Sequence, residues 1–450
     1  MPPKILNFFQ THKIITLLFL LTLVLWSWQH TTGFTWDFAA YSLNAEYIFG
    51  GGDYSEILRP PLASVLMFPA GLNRALGEYF YIILVSLIFL YSALKLADSL
   101  KLDRTAFYVF SLTPFHIFFG LFAGTELLSL SLLYLSVYSL YTKKSGILLG
   151  LLSLARYTNI FYLPIVLFQK NLKRIVLSLI LFVAVFTPWF AYNYVMTGDP
   201  LTSLSDFYTL SIKYRDYTVI QPPKIEDILL TLNFTIPFLI LGIYIRAKKG
   251  LGKTDILMIV ILVLTLISYW RIPIKDIRYL FHLALPAAYF SMFALKKINF
   301  RYTVQIILVI SLVSMAVLTP MMKLPDPIDF KEIAVKVNCS TMSNVWVPLS
   351  YYGLPTIPSP REQQINQKVE QGYRIVVYHG EERDITDPDQ ISKLPIIENN
   401  PKYLIIGDST KCKTITRADY RYLNWLNDFL NYTYNYIVPT DPIGVFFGKE

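Results

Sequence analysis

The chain has 450 residues, of which 54% are hydrophobic and only 16% charged, and its mean hydropathy is positive, which excludes a soluble fold of ordinary composition. A formal net charge of +9 would suggest nucleic acid in a soluble protein, but the basic residues fall in short clusters between apolar runs, where membrane topology accounts for them. The composition is that of a polytopic membrane protein.

The first apolar run, IITLLFLLTLVLWSW, lacks a small-residue cleavage site and reads as a retained anchor rather than a signal peptide. Runs near the bilayer-spanning length continue to Thr319, and the predicted spans are 14–28, 79–97, 105–121, 127–142, 146–157, 160–168, 175–193, 229–246, 255–270, 279–295 and 303–319. The fifth and sixth are short and interrupted by ARYTN (155–159), so partial or broken helices are expected there, either buried in protein or lining a cavity. With the N-terminus in the cytoplasm, the clusters at Lys4 and Lys13, Lys95 to Arg104, Lys143 and Lys144, Lys170 to Arg174, Arg246 to Lys249 and Lys296 to Arg301 all fall inside. An odd number of crossings puts the C-terminus outside, in a protein expected in the plasma membrane. No internal repeat, low-complexity tract or inverted pair of halves is evident, which counts weakly against a transporter.

After Pro320 the composition changes. Residues 1–320 read as a membrane module with a first external loop at 29–78, and 321–450 as an extracytoplasmic soluble α/β domain. Within the latter, YRIVVYH and KYLIIGD read as buried strands, ADYRYLNWLNDFLNYTYNY as an amphipathic helix and IGVFFGK as a last strand. The chain's two cysteines, Cys339 and Cys412, both lie in this outer domain; a disulfide is the natural reading, with two buried free thiols as the alternative. Sequons at Asn233, Asn338 and Asn431 support the topology only mildly.

The external side collects the acids: Asp37, Glu46, Asp53 and Glu56 share the first loop with Arg59, and Glu126 follows FFGLFAG in the second. FAAYSLNAEYIF has helical spacing and enough apolar surface to lie along the membrane, which would hold Asp37 near the headgroups as a candidate general base. Arg271, Lys275, Arg278 and His282 gather at the outer end of a span, against the positive-inside trend, and an anionic group held at the outer leaflet would explain them. Plainer readings stand beside these. Asp37 could cap its helix, Arg59 could snorkel to the headgroups, and Glu126 could pair with Arg156 inside the bundle. His116 beside Pro114 reads as a satisfied polar residue, since no second His or Cys stands at ligand spacing.

Taken in order, Trp36-Asp37, the Arg59-Pro60-Pro61 step into the membrane, PWFAYNYVMTGDPL (188–201) and DIRYLFHLALP resemble the GT-C superfamily of membrane glycosyltransferases, in particular the protein O-mannosyltransferases and lipid A aminoarabinose transferases. The resemblance spans roughly residues 14 to 320 and rests on the order of these motifs along the chain. It implies a GT-C helical bundle of about eleven transmembrane helices. It also implies transfer of a sugar, a hexose such as mannose, from a polyprenyl or dolichyl phosphate to a glycan, lipid or protein acceptor on the outer face, with inversion and no required divalent metal. Asp37 matches the catalytic base, and Arg59 and Arg278 match cations on the carrier phosphate, with Lys275 beside them. Glu126 and Glu46 are candidates for a second acidic or acceptor position, and Arg156, His282 and Asn193 are candidate lining residues. The first loop has no Asp-x-Asp and the C-terminal region no Trp-Trp-Asp-Tyr-Gly, a departure from oligosaccharyltransferase catalytic subunits that argues against en bloc transfer with a bound metal. A transporter or flippase of a lipid-linked substrate, or a non-catalytic glycan-assembly subunit, would fit the same composition.

Overall fold

A computed structural model describes residues 13–33, 35–142, 144–208, 222–272, 275–296, 300–321, 327–337, 339–354, 356–360, 364–380 and 393–413. The expected amphipathic helix at 418–436, the last strand at 443–449 and the sequons at Asn338 and Asn431 lie outside these residues.

The apolar runs form helices: α1 (Lys13–Thr32), α2 (Trp36–Gly50), α3 (Arg74–Ser99), α4 (Arg104–Ser111), α5 (Pro114–Phe119), α6 (Glu126–Tyr138), α7 (Lys144–Ala155), α8 (Leu172–Thr197), α9 (Ile225–Leu232), α10 (Thr235–Lys249), α11 (Lys253–Arg271), α12 (Ala284–Leu295) and α13 (Phe300–Met321). Among the described residues four of them, α1, α3, α8 and α11, are long and apolar enough to cross a bilayer alone, or five spans result if the bent pair α9 and α10 counts as one. Several runs read from the sequence as single spans are broken, each for a local reason. The run at 105–121 divides at Leu112 and Thr113, because Pro114 pushes Thr113 into extended backbone (ψ 165°) and starts a new helix. The helix begun at Pro114 is short, and the open carbonyls at its C-terminal end are met from α1, where the Trp26 indole donates to the Ile117 carbonyl and Gln29 to that of Phe118 at 3.0 Å. The run at 229–246 bends by 88° at Asn233, whose φ is +45°. The interruption expected at ARYTN is present: Arg156 is extended, and a 3-10 helix (Tyr157–Phe168) follows it. Close packing replaces bulk where helices cross. A Cβ on Gly146 of α7 would stand 2.1 Å from the Ser178 carbonyl oxygen of α8, so only glycine fits.

Beyond the bundle, α14 (Pro327–Lys336) and α15 (Trp346–Tyr351) pack on a five-stranded mixed sheet ordered β2-β1-β3-β5-β4, with β1 Thr341–Ser343, β2 Thr356–Pro358, β3 Arg374–Tyr378, β4 Ile396–Asn399 and β5 Tyr403–Ile406. The two runs read as buried strands are β3 and β5, paired antiparallel. Alternate residues face opposite sides: Val376, Tyr403 and Ile405 join Phe330 and Ile333, while Ile375, Val377, Leu404 and Ile406 join Ile365 and Val369. Covered on both faces, these strands carry continuous apolar runs, IVV in β3 and LII in β5, rather than alternating.

Cys339 and Cys412 are joined as a disulfide with Cα atoms 5.3 Å apart, closing a loop of 73 residues across the sheet. Reduction is expected to destabilise this part of the protein by about 2–4 kcal/mol through the freed loop entropy. Thermal unfolding with and without reductant measures it; an unchanged midpoint would show that packing alone holds the sheet.

Candidate active site

Asp37 sits in the first turn of α2, where the helix dipole favours an anion. It is not the cap. Thr35 takes that place, its hydroxyl accepting from Phe38 N–H at 3.3 Å and donating to the Phe122 carbonyl at 3.0 Å. The Asp37 carboxylate is free to face two arginines from distant parts of the chain: Arg59 Nη1 lies 2.6 Å from Oδ1 and Arg278 Nη1 3.0 Å from Oδ2. Burial pushes the Asp37 carboxyl up, but the charges and hydrogen bonds of Arg59 and Arg278 outweigh it and hold the group well below the usual carboxylate range. A third of the side chain, 33%, stays open to solvent.

Each arginine also has an acid of its own close by in sequence. Arg59 Nε donates to Glu56, three residues earlier, at 2.5 Å. Arg278 Nε donates at 2.7 Å to Asp276, which caps the 3-10 helix Ile277–Leu283 by accepting from Arg278 N–H. Behind this layer Glu126, 1% exposed at the start of α6, accepts from Arg156 Nη1 at 2.5 Å and lies 3.7 Å from Arg278 Nη1. The extended backbone at Arg156, between α7 and the following 3-10 helix, brings that guanidinium to Glu126 and over the Tyr279 ring, 5.2 Å from its centroid. The cluster therefore joins the first loop, the start of α6, the ARYTN break and the entry to α12.

The other candidates lie elsewhere. Lys275 points its ammonium at the carbonyls that end α11, donating to Trp270 at 2.8 Å and to Tyr269 and Ile272. It thereby caps the C-terminal end of α11. Lys275→Met is accordingly expected to lower stability by about 1 kcal/mol and to leave lipid-phosphate affinity within about twofold, as read by thermal unfolding and ligand titration; a tenfold loss of affinity would return Lys275 to the site. Glu46 stands about 13 Å further along α2 than Asp37 and is held by Arg74 Nε at 2.9 Å. Arg74 also donates to the Tyr351 carbonyl and covers that ring at 4.7 Å, so Glu46 serves the contact between α2, α3 and α15. His282 is a layer deeper, bonded to Ser129 Oγ at 2.7 Å, which in turn accepts from Asn159 at 2.7 Å. Asn193 pins the turn after α8, donating to the Pro200 carbonyl at 3.2 Å and to Ser203 at 2.8 Å. His116 uses both ring nitrogens, one with Thr113 Oγ1 at 2.6 Å and the other donating to the Phe281 carbonyl at 2.9 Å. Among the described residues no group of three or more His, Cys, Asp or Glu is placed to hold a metal.

Sequence reading passed over Glu78. Near the N-terminus of α3 and 2% exposed, it accepts from Ser42 of α2 and, at 2.8 Å, from the Tyr351 hydroxyl of α15, and it pairs with His30 of α1 at 3.0 Å. With Val347 packed on Ala39, Ala40 and Leu43, and Trp346 edge-on to Trp36 at 4.3 Å, it seats the sheet region over the helix that carries Asp37. Nothing in the linear order signals this, since Glu78 reads as the polar flank of an apolar run.

Two solved structures have the same architecture. ArnT from Cupriavidus metallidurans bound to undecaprenyl phosphate superposes with a TM-score of 0.63 at 10% identity, over 88% of this chain and 98% of that one. The same protein in its apo state gives 0.61 at 10% identity with equal coverage. No family model and no curated protein matches the sequence. Over nearly the whole length of ArnT, therefore, this multi-pass membrane chain shares the ArnT fold.

Proposed function

We propose that the protein is a membrane glycosyltransferase that moves one sugar from a polyprenyl-phosphate donor to an acceptor hydroxyl at the extracytoplasmic face. The observation that carries the reading is the Asp37 carboxylate bridging two arginines, Arg59 and Arg278, drawn from loops about 220 residues apart in sequence. In support, ArnT, whose fold this chain shares, has been solved with undecaprenyl phosphate bound.

The chemistry follows from charge. Asp37 takes the proton of the acceptor hydroxyl as its oxygen attacks the anomeric carbon; the bond from that carbon to the phosphate oxygen breaks, and the configuration inverts. The electron pair leaves on the lipid phosphate, where Arg59 and Arg278 meet the charge, so the leaving group needs cations rather than a proton donor. Nearby acids that could ligate a divalent ion are already engaged by guanidinium groups, and the reading accordingly asks for no metal. A hexose such as mannose is the expected sugar. The proposal includes about eleven crossings of the membrane, a cytoplasmic N-terminus, and an extracytoplasmic α/β unit over 321–450.

Purified protein supplied with a panel of labelled polyprenyl-phosphate sugars tests this. Consumption of one donor supports the reading and names the sugar. If no donor is bound or consumed, the reading fails and a transport or assembly role takes precedence.

A further inference from the structure

Glu56 lies in the first external loop outside the groups assigned to chemistry. Its side chain is 3% exposed. One carboxylate oxygen accepts from Arg59 Nε at 2.5 Å and the other from the Tyr54 hydroxyl at 2.8 Å. Asn44 of α2 grips its main chain in both directions, accepting from Glu56 N–H at 2.7 Å and donating to its carbonyl at 2.9 Å. The Arg59 N–H then donates to the same carbonyl at 3.2 Å and closes a tight turn.

A carboxylate buried this deeply loses several kcal/mol of hydration, so net stability is a weak reason for its presence. Orientation is a better one. An arginine stem has many rotamers, and a fixed partner at Nε selects one plane for the guanidinium. The Nη1 and Nη2 end is left facing the site, the edge that can grip a phosphate through two hydrogen bonds. Nη1 now rests on Asp37, and Nη2 meets no hydrogen-bond acceptor among the described residues. The two acids on Arg59 differ in kind. Asp37 is 33% exposed and shared with Arg278, so an incoming anion can replace it, whereas Glu56 is sealed.

Resting on the functional reading above, we propose that Glu56 is a positioning residue: it keeps Arg59 turned toward the donor phosphate when Asp37 leaves that arginine for the acceptor hydroxyl. The contact acts on the arrangement reached during turnover rather than on anion capture.

Full-length wild type, Glu56→Gln and Tyr54→Phe are compared for undecaprenyl phosphate binding, donor kinetics and thermal unfolding. Glu56→Gln is expected to lower kcat at least about tenfold while KM and lipid-phosphate affinity move less than about threefold. A wild-type kcat in a folded Glu56→Gln overturns the proposal and leaves the functional reading standing. If Glu56→Gln does not fold, Tyr54→Phe decides, since it keeps the charge and frees one carboxylate oxygen: a fall in kcat of about threefold supports the role, and an unchanged kcat overturns it. A wild type that neither binds nor consumes any lipid-linked sugar removes the functional reading and this inference together.

Discussion

Asp37→Asn is expected to cut donor turnover by about 10²–10⁴ while undecaprenyl phosphate binds at least as tightly as to wild type. In the donor-free protein Asp37 is itself an anion in contact with Arg59 and Arg278. A phosphate seeking the same guanidinium edges competes with it, and the amide, having no charge, competes less. The base is lost but the seat for the anion is improved, which separates chemistry from binding in one variant. The pH profile carries the same logic. In the free protein the two arginines hold the Asp37 carboxyl below its usual range against the upward push of burial. Once a phosphate has neutralised them, that push is left less opposed. The acid limb of kcat, which reports the complex, should therefore lie at higher pH than the acid limb of kcat/KM, which reports the free enzyme. Coincident limbs would mean that Asp37 keeps its arginines throughout turnover. Linkage runs the same way: because the folded-state value is depressed, Asp37 contributes stability above the ordinary aspartate range that is lost as pH falls through and below it, and Asp37→Asn flattens that dependence.

The groups that sequence could reach are those whose charge is anomalous for their place. In a chain this apolar, an acid and an arginine between the first two apolar runs, and an arginine at the end of a late one, are conspicuous without any structure, and Asp37, Arg59 and Arg278 meet at one point. Partner choice was less legible. Asp53 and Glu56 both precede Arg59 in the same loop, and the fold of that loop over Asn44 brings Glu56 to it. Lys275 looks in sequence like part of the cationic group, yet its ammonium is taken by the carbonyls at the end of α11. The break at Pro114 was visible as a residue type but overlooked within an apolar run of spanning length. Glu78 could not be found at all, because its partners Ser42, His30 and Tyr351 come from three other elements.

Arg156→Met is expected to destabilise the protein by about 3–5 kcal/mol, more than Glu126→Gln. The asymmetry comes from burial: the Glu126 side chain is 1% exposed and that of Arg156 14%. Removing the cation strands a carboxylate whose remaining partners are the Thr125 N–H at 3.2 Å and Arg278 Nη1 at 3.7 Å. Removing the acid leaves a guanidinium that still rests on the Tyr279 ring and reaches some solvent. The double variant Arg156→Met, Glu126→Gln should recover most of the loss, since it leaves no uncompensated buried charge, and a double-mutant cycle in thermal or denaturant unfolding measures the coupling. The cycle also decides between the two roles Glu126 had on sequence. With Arg156 gone, Glu126 has reason to close on Arg278 and draw it from Asp37, so the single variant should lose donor affinity that the double variant regains. A double variant that is stable and active makes the pair a scaffold behind the site. If it is stable but without turnover, Glu126 acts on the substrate directly and joins Asp37 in the chemistry.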